Sequence, residues 1–406
     1  MDPKKLFSGV TSRYLAKTYF VYGFISLAIL LIKILIARLY GQENLGVYTY
    51  FFGLVSLAFL FTSFGLPEAL TQTLAKDKRY LKSGLKHFFV FIIPFTFVFI
   101  VIFILVTNYL NLNPEIRLFN LAFILYIVCY SLFYLTYSIL RGYKQFVIGS
   151  FFSLCERIFF IIFLILLFFI SSSFTWVLIV MSLALLLASF ISLPRIIKKS
   201  DKEQIIIPKK TFFSIAIALF LTQISFYSLR YIDILTIQYL LNLMDLGLYS
   251  AYASVTNIIR LIAYVFPVVV LPMAVTSKFK LRLAFKKILI LLVPFSVIVL
   301  ILTYFVVPLF YGVEYKTTCL PIYLVISSFL LVLYSYFNSV FVGENKFSNF
   351  YINLLVIDVC LSLILNTILN LYFISKLGLI GAPIATSIVI ILKIILNIYG
   401  IKRLRK

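Results

Sequence analysis

The chain has 406 residues, of which 63% are hydrophobic and only 12% are charged, and its mean hydropathy is +1.13. A soluble domain carries about 25% charged residues, so this composition excludes a water-soluble globular protein. The net charge of +23 would suit nucleic acid, but the basic residues follow a membrane topology, so no nucleic-acid partner is expected.

Twelve apolar stretches are long enough to cross a membrane as helices, which takes about 20 residues each. They are predicted at residues 18–38, 47–66, 88–109, 118–140, 148–170, 174–193, 213–240, 247–273, 288–310, 318–342, 349–373 and 379–400. The stretches are continuously apolar, which excludes the alternating strands of a β-barrel. The predicted fold is therefore an all-α integral membrane protein with twelve transmembrane helices.

Lys and Arg alternate between the two sides of these spans. Of the 36, 27 lie in the two tails and the even-numbered connections, 4 in the odd-numbered connections and 5 inside spans. By the positive-inside rule both termini are cytoplasmic, and the basic clusters at 76–86, 195–210 and 278–287 should attract anionic membrane lipids. The odd-numbered, outer connections are all short, so an enzyme with an outer catalytic domain is not expected.

The sequence contains an internal repeat. At a shift of 201 residues Leu45–Thr49 aligns with Leu246–Ser250, and further matches pair Ser138, Gly142 and Phe146 with Ser339, Gly343 and Phe347. We predict two pseudo-symmetric six-helix bundles, an N-terminal lobe (1–193) and a C-terminal lobe (213–406), joined by a cytoplasmic linker (194–212). Transporters built from parallel repeats bind substrate between the halves and rock one against the other.

Ionisable side chains inside spans cost at least ~2.5–3.5 kcal/mol each, so we take them as functional candidates. The candidate substrate-binding cations are Arg260, Arg230, Lys33 and Arg157, and the candidates for ion coupling or salt bridges are Asp233, Glu156 and Asp358. Cations outnumber acids, which indicates an anionic substrate, and arginine binds phosphate oxygens in bidentate fashion. Lys393 is nearer a helix end, where snorkelling to the interface is an equal alternative.

Three pairings follow from the spacing of these charges. Arg230 and Asp233, at i and i+3, can instead form a purely structural couple on one helix face. Glu156 and Arg157 are neighbours that point in different directions, so each is expected to need its own partner or water. Lys33 aligns within one residue of Asp233 under the repeat, which gives the hypothesis that the two face each other across a cavity.

The remaining reactive residues give no sign of a cofactor or metal site. The four cysteines have no CxxC spacing and are expected to be packing residues, and His87 is expected to be a solvated loop residue. No phosphate-binding GxxxxGK[ST] loop is present, so ATP hydrolysis is not expected. Energy should come from an H+ or Na+ gradient, the membrane potential or consumption of the substrate.

Four motifs in chain order resemble those of polysaccharide-export flippases, the Wzx branch of the multidrug/oligosaccharidyl-lipid/polysaccharide (MOP) exporters. They are Ile36–Tyr48, Gly65–Ala69, Arg230–Asp233 with Leu246–Tyr249, and Leu377–Thr386. The resemblance implies the fold of MATE drug exporters and the flipping of undecaprenyl-pyrophosphate-linked oligosaccharides. It would make Arg260, Arg230 and Lys33 headgroup contacts, and Asp233, Glu156 or Asp358 proton or sodium sites.

The expected function is therefore a non-enzymatic flippase of the bacterial cytoplasmic membrane that moves a lipid-linked oligosaccharide by alternating access, for O-antigen or capsule-type polysaccharide synthesis. It should work as a monomer, with a glycan polymerase or export machinery as partners. Two alternatives stay open: an ion-coupled small-molecule antiporter of the same fold, and a membrane glycan polymerase or glycosyltransferase. Twelve spans rather than fourteen argue against the lipid II flippase branch.

Overall fold

A computed structural model describes residues 9–109, 115–170, 173–197, 205–263, 281–317, 319–344 and 349–404. Within these ranges the chain is helical nearly throughout and contains no β-strand. Lipid offers no hydrogen-bond partners to a backbone, so a continuously apolar chain satisfies its N–H and C=O groups within helices. The predicted all-α class is confirmed.

The helices of the described ranges are numbered here in chain order. They are α1 (Gly9–Tyr40), α2 (Gln42–Ser63), α3 (Leu66–Lys76), α4 (Leu81–Tyr109), α5 (Glu115–Gly142), α6 (Phe146–Ile170), α7 (Thr175–Ile197), α8 (Lys209–Leu240), α9 (Leu243–Ala263), α10 (Leu281–Phe310), α11 (Leu320–Glu344), α12 (Asn349–Cys360), α13 (Asn366–Leu377) and α14 (Gly381–Leu404). A π-helical segment, Leu361–Leu365, joins α12 to α13.

Ten stretches of the described residues are long and apolar enough to cross a membrane. The last, Asn353–Arg403, covers the predicted span at 379–400 and all but the first four residues of the one at 349–373, and Gly378 separates the two, since it ends α13 with a φ of +60°. The predicted span at 247–273 extends beyond the described residues. The chain is thus a multi-pass membrane protein, while twelve spans and the orientation of the termini stay predictions.

The chain divides into two compact units. Unit 1 comprises Met1–Ile32 and Phe51–Gln223, and unit 2 comprises Lys33–Tyr50 and Ile224–Lys406. Helices α1, α2 and α8 therefore each contribute to both units. The lobes predicted from the repeat, 1–193 and 213–406, stay a prediction, and the linker residues 198–204 and the basic residues 278–280 lie outside the described ranges.

The core of unit 1 forms where α3, α4, α5 and the start of α8 pack together. The chain turns between α2 and α3 at Phe64 and Gly65, both with positive φ. A Cβ atom on Gly65 would lie 2.3 Å from the carbonyl oxygen of Ala216. Only glycine lets the start of α3 approach the α8 backbone this closely.

The end of the predicted linker is held on α4 by hydrogen bonds. The Ile205 N–H donates to the Arg79 carbonyl over 3.2 Å, and Ser83 Oγ donates to the Ile205 carbonyl and accepts from the Ile207 N–H. His87 Nε2 lies 3.1 Å from the Ile207 carbonyl oxygen and is buried. The expectation of a solvated histidine is therefore wrong, because the linker covers this side chain.

The core of unit 2 is formed mainly by α9, α10, α11 and α14. Buried Val332 and Tyr336 of α11 pack there with Leu354 of α12 and Ile401 of α14. A second group of apolar side chains joins α8 to α11 and α14 through Leu229, Leu331 and Val389, among others. These contacts place α8, the α12–α13 pair and α14 around the polar side chains described next.

Candidate functional site

Asp233 on α8 is the centre of a buried polar group in unit 2. Its carboxylate accepts hydrogen bonds from Thr386 Oγ1 over 2.8 Å, from Asn370 Nδ2 over 3.0 Å and from the Tyr249 hydroxyl over 3.2 Å. Asn370 Nδ2 also lies 3.1 Å from Asn366 Oδ1. We call these five residues the Asp233 cluster. It ties α8, α9, α13 and α14 together at one carboxylate.

The surroundings of Asp233 bear on the alternative of a local structural couple with Arg230. The hydrogen bonds of its carboxylate come from three other helices, and the cation whose charge stabilises it is Arg260. Arg230 instead lies with its guanidinium carbon 5.8 Å from the centre of the Tyr231 ring. Asp233 is therefore a junction between helices, and the local couple with Arg230 stays an alternative prediction.

Arg230 and Arg260 line a small cavity within unit 2. Its other walls are aromatic and aliphatic side chains and one hydroxyl: Phe226, Tyr227, Leu229, Leu331, Ile390 and Thr386. Arg260 Nε also donates to Ser328 Oγ over 3.0 Å, which fixes the guanidinium. Thr386 contacts both the cavity and Asp233, so the cavity and the Asp233 cluster share a wall.

Lys33 lies in the part of α1 that belongs to unit 2 and is buried. Its Nζ donates to Ser250 Oγ over 2.8 Å, and Ser250 Oγ also accepts from Thr49 over 2.6 Å. The hypothesis of a Lys33–Asp233 pair is wrong for this structure, because the ammonium group is bound by α9 hydroxyl and carbonyl oxygens. Lys33 is near enough to Arg230 for repulsion between the two charges.

Lys393 on α14 is the centre of a second polar group, the Lys393 cluster. The other members are Ser225, Tyr334, Asp358 and Ser362. Lys393 Nζ donates to Ser362 Oγ over 2.6 Å and to Ser225 Oγ over 2.8 Å, and it lies 3.5 Å from Asp358 Oδ2. It also lies 4.4 Å from the centre of the Tyr334 ring. Lys393 is 0% exposed, so it does not snorkel.

The π-helical segment explains how one helix serves both clusters. The polar residues Asp358, Ser362, Asn366 and Asn370 are spaced four apart, and in a regular α-helix each such step rotates by about 40°. Over three steps the row would drift off one face. The wider turn at Leu361–Leu365 rotates in the opposite sense and keeps the row aligned, as π-bulges at functional sites often do.

Glu156 and Arg157 on α6 pair with each other in unit 1. Arg157 Nε lies 3.0 Å from Glu156 Oε2, and Nη1 donates to Oε1 over 3.0 Å. The expectation that each needs its own partner is wrong, because the long arginine side chain reaches back to the preceding carboxylate. Among the predicted cations, unit 2 thus brings Lys33, Arg230 and Arg260 together, while Arg157 belongs to the other unit.

Several residues of these clusters were not predicted as site residues. The sequence could have indicated Asn366, Asn370 and Thr386, because amides and hydroxyls that repeat along apolar spans mark polar helix faces. Nothing in the sequence marked Tyr249 among 28 tyrosines. The four cysteines are free, and within the described ranges no group of three or more His, Cys, Asp and Glu side chains could hold a metal ion.

The fold is that of the MOP-superfamily transporters. The structure matches the lipid II flippase MurJ in an inward closed conformation with a TM-score of 0.68 and 18% identity, over 95% of this chain and 87% of that one. It matches an inward-facing multidrug resistance MATE transporter with a TM-score of 0.57 and 15% identity, over 95% and 94%. The third match is a MOP-superfamily transporter from Pyrococcus furiosus, described by the reverse polarity of its binding pocket. Its TM-score is 0.52 and its identity 15%, over 96% of this chain and 94% of that one.

The comparison of sequences defines a narrower class of protein than the comparison of folds. The chain belongs to the polysaccharide biosynthesis protein family, whose sequence model matches residues 16–278. No curated protein sequence matches it. The resemblance to polysaccharide-export MOP transporters seen in four motifs is thus confirmed: the chain has the MOP transporter fold and belongs to the polysaccharide biosynthesis protein family.

Proposed function

We propose that this protein flips a polyprenyl-pyrophosphate-linked oligosaccharide across the bacterial cytoplasmic membrane by alternating access, for cell-surface polysaccharide synthesis. The observation that carries the proposal is the pair Arg230 and Arg260 on one cavity, with Lys33 close to Arg230. Two guanidinium groups offer the paired, planar donors that suit a pyrophosphate. The aliphatic and aromatic walls of the same cavity suit the first isoprene units.

The proposal also assigns the coupling ion to the Asp233 cluster. One carboxylate, two amides and two hydroxyls supply the oxygen ligands that a hard cation such as Na+ prefers. Asn370 Oδ1 is buried and has no hydrogen-bond partner among the described residues, and turning this amide over exchanges its nitrogen for its oxygen. The cluster then has a carboxylate, an amide oxygen and the Thr386 hydroxyl around one point, where Na+ could bind. The alternative coupling ion is a proton, bound by the Asp233 carboxylate.

Transport can be tested in proteoliposomes loaded with the lipid-linked saccharides of the native cells. The wild-type protein should make the glycan accessible to an impermeant glycosidase or lectin on the opposite face. Arg260→Ala should reduce the rate at least tenfold, and Arg260→Lys should recover only part of it, because lysine has no bidentate fork. No transfer by folded wild-type protein under any ion gradient or potential would overturn the proposal.

The second candidate is an ion-coupled small-molecule antiporter, which the Asp233 cluster would serve equally well. The cavity arginines distinguish the two, because cationic drugs would be repelled by Arg230 and Arg260. Organic anions or drugs that compete with lipid-linked saccharide for transport would favour the antiporter. A gene neighbourhood of sugar-nucleotide enzymes and glycosyltransferases would favour the flippase.

A further inference from the structure

One face of α5 carries a row of tyrosines in unit 1. The row consists of Tyr126, Tyr130, Tyr134 and Tyr137, spaced by four, four and three residues, and Arg141 continues it. Such spacing places all five side chains on one face of a helix. Tyr126 is buried, whereas the other four are partly exposed.

The rings of this row contact each other from one helical turn to the next. Their centroids are 5.6 Å apart for Tyr126 and Tyr130, 5.7 Å for Tyr130 and Tyr134, and 5.8 Å for Tyr134 and Tyr137. The guanidinium carbon of Arg141 lies 5.4 Å from the centre of the Tyr137 ring. The result is a continuous strip of aromatic surface and hydroxyl groups that ends at a cation.

The opposite face of α5 is apolar and exposed. Leu121, Leu125, Val128 and Leu132 are exposed there, and their spacing places them about half a turn around the helix from the centre of the tyrosine row. Leucine and valine suit hydrocarbon, whereas a partly exposed arginine with tyrosine hydroxyls needs water or a polar ligand. The tyrosine row is therefore a polar face within a membrane-spanning helix.

The internal repeat shows that the fold itself does not require these tyrosines. At the shift of 201 residues, the positions equivalent to Tyr126, Tyr130, Tyr134 and Tyr137 are Ser327, Leu331, Ser335 and Asn338 on α11. The same helix of the other repeat packs with small, aliphatic and amide side chains instead. The row is therefore particular to the first repeat, where Tyr130 and Tyr134 also contact the Phe59 ring of α2.

Further polar groups lie beside the row. Tyr134 and Gln223 are hydrogen-bond partners of Glu68, and the charge of Arg141 acts on the same carboxylate. Glu68 Oε2 is buried and accepts no hydrogen bond from the described part of the chain. The Tyr22 and Tyr137 hydroxyls lie 2.7 Å apart. Together with the tyrosine rings, these groups combine aromatic faces with many donors and acceptors.

We propose that the tyrosine face, Tyr130, Tyr134, Tyr137 and Arg141 with Glu68 beside it, binds the saccharide of the transported lipid. Sugar rings offer C–H groups to aromatic faces and hydroxyls to carboxylate, guanidinium and phenol groups. A row of rings suits several successive sugars without selecting one. The inference rests on the proposed flippase function and adds a saccharide-binding surface within unit 1.

The test compares two ligands for detergent-solubilised full-length protein, by equilibrium binding. One is the pool of lipid-linked saccharides extracted from the native cells, and the other is undecaprenyl pyrophosphate without sugar. Wild-type protein should bind the saccharide-bearing lipid at least about tenfold more tightly. Tyr134→Leu should lose about fivefold of this affinity, a typical value for one aromatic contact, and should bind the sugar-free lipid unchanged.

Two further variants keep the result interpretable. Leu132→Ala, on the opposite face, should bind both ligands like wild type, and Tyr134→Phe, which keeps the ring, should lose less than Tyr134→Leu. Retained binding of undecaprenyl pyrophosphate shows that each variant is folded. Equal wild-type affinity for both ligands, or a Tyr134→Leu variant with an undiminished preference for sugar, would overturn the inference alone. Binding of neither ligand by wild type would overturn the proposed function and this inference with it.

Discussion

Thr49 donates a hydrogen bond to Ser250 over 2.6 Å, and the two residues are 201 positions apart, at the same place in the two repeats. The two copies of the repeat therefore meet here at equivalent positions. Lys33 joins this point by donating to Ser250 as well. The contact lies within unit 2 because α1 and α2 contribute residues 33–50 to it.

Two glycines show the same relationship. A Cβ atom on Gly46 would lie 1.9 Å from the Leu243 carbonyl oxygen, and one on Gly247 would lie 2.1 Å from the Gln42 carbonyl oxygen. Both the glycines and their contacts are related by the shift of 201 residues. The motif Leu-Gly-x-Tyr that revealed the repeat therefore has a packing role, since each copy lets the other helix hairpin approach.

Gly46→Ala should push α2 away from the start of α9 at this contact. The methyl group has no room beside a backbone carbonyl, so we expect a loss of about 1–3 kcal/mol in the free energy of unfolding. Thermal unfolding in detergent measures it. Gly23→Ala is the matched control, because a Cβ atom there meets nothing within 4 Å, and it should be neutral or slightly stabilising. Equal effects of the two substitutions would contradict the close approach at Gly46.

The double charge reversal Lys33→Asp with Asp233→Lys should not restore the transport lost in either single variant. Lys33 is bound by Ser250 and Asp233 by hydroxyl and amide groups of other helices, so the reversed charges would each meet the wrong partners. Transport of the lipid-linked saccharide measures the effect. Recovery by the double variant would mean that the two residues meet in another state of the transport cycle.

Replacing one partner of the Lys393–Asp358 pair should destabilise the protein more than replacing both. Lys393→Met leaves the Asp358 carboxylate without its cation, for which we expect a loss of about 3–5 kcal/mol, whereas the double variant with Asp358→Leu should lose less. Thermal unfolding of the two single variants and the double variant gives the coupling energy. Lys376→Met, at an exposed lysine, should be neutral. Strictly additive losses would show that the pair contributes nothing.

Sodium should stabilise the wild-type protein if the Asp233 cluster binds it. A ligand at one hundred times its dissociation constant adds about 2.7 kcal/mol, so the melting temperature in detergent should rise with NaCl but not with KCl. Asp233→Asn should abolish the rise, and Glu43→Gln, at an exposed carboxylate, should retain it. A rise with both salts, or one that survives in Asp233→Asn, would exclude this sodium site.

Most of the fold could be predicted from the sequence, and the partners of its charges could not. The apolar spans predicted helices because only internal hydrogen bonds satisfy a backbone in lipid. Position within the spans selected Lys33, Arg230 and Arg260 as candidates, and the structure places all three in one unit. Position could not show that Lys393 is covered on all sides, because depth along one helix says nothing about its neighbours.

The same limit applies to Arg157 and to the tyrosines of α5. Neighbouring residues point about 100° apart on a helix, yet the arginine side chain is long enough to return to Glu156. In the sequence, Tyr130 and Tyr134 do not differ from the other aromatic residues of the spans, and only their ring contacts in the structure distinguish them. In both cases the conformation of the side chain, and not its spacing, decides what it contacts.

Composition and local periodicity are enough to show that the chain is a membrane protein, that it is duplicated and that its spans carry excess cations. Which charges are neutralised, which charges line a cavity and which tyrosines form a row depends on the packing of the helices. Most of those contacts join helices that are distant in the sequence, and each depends on how the helices pack.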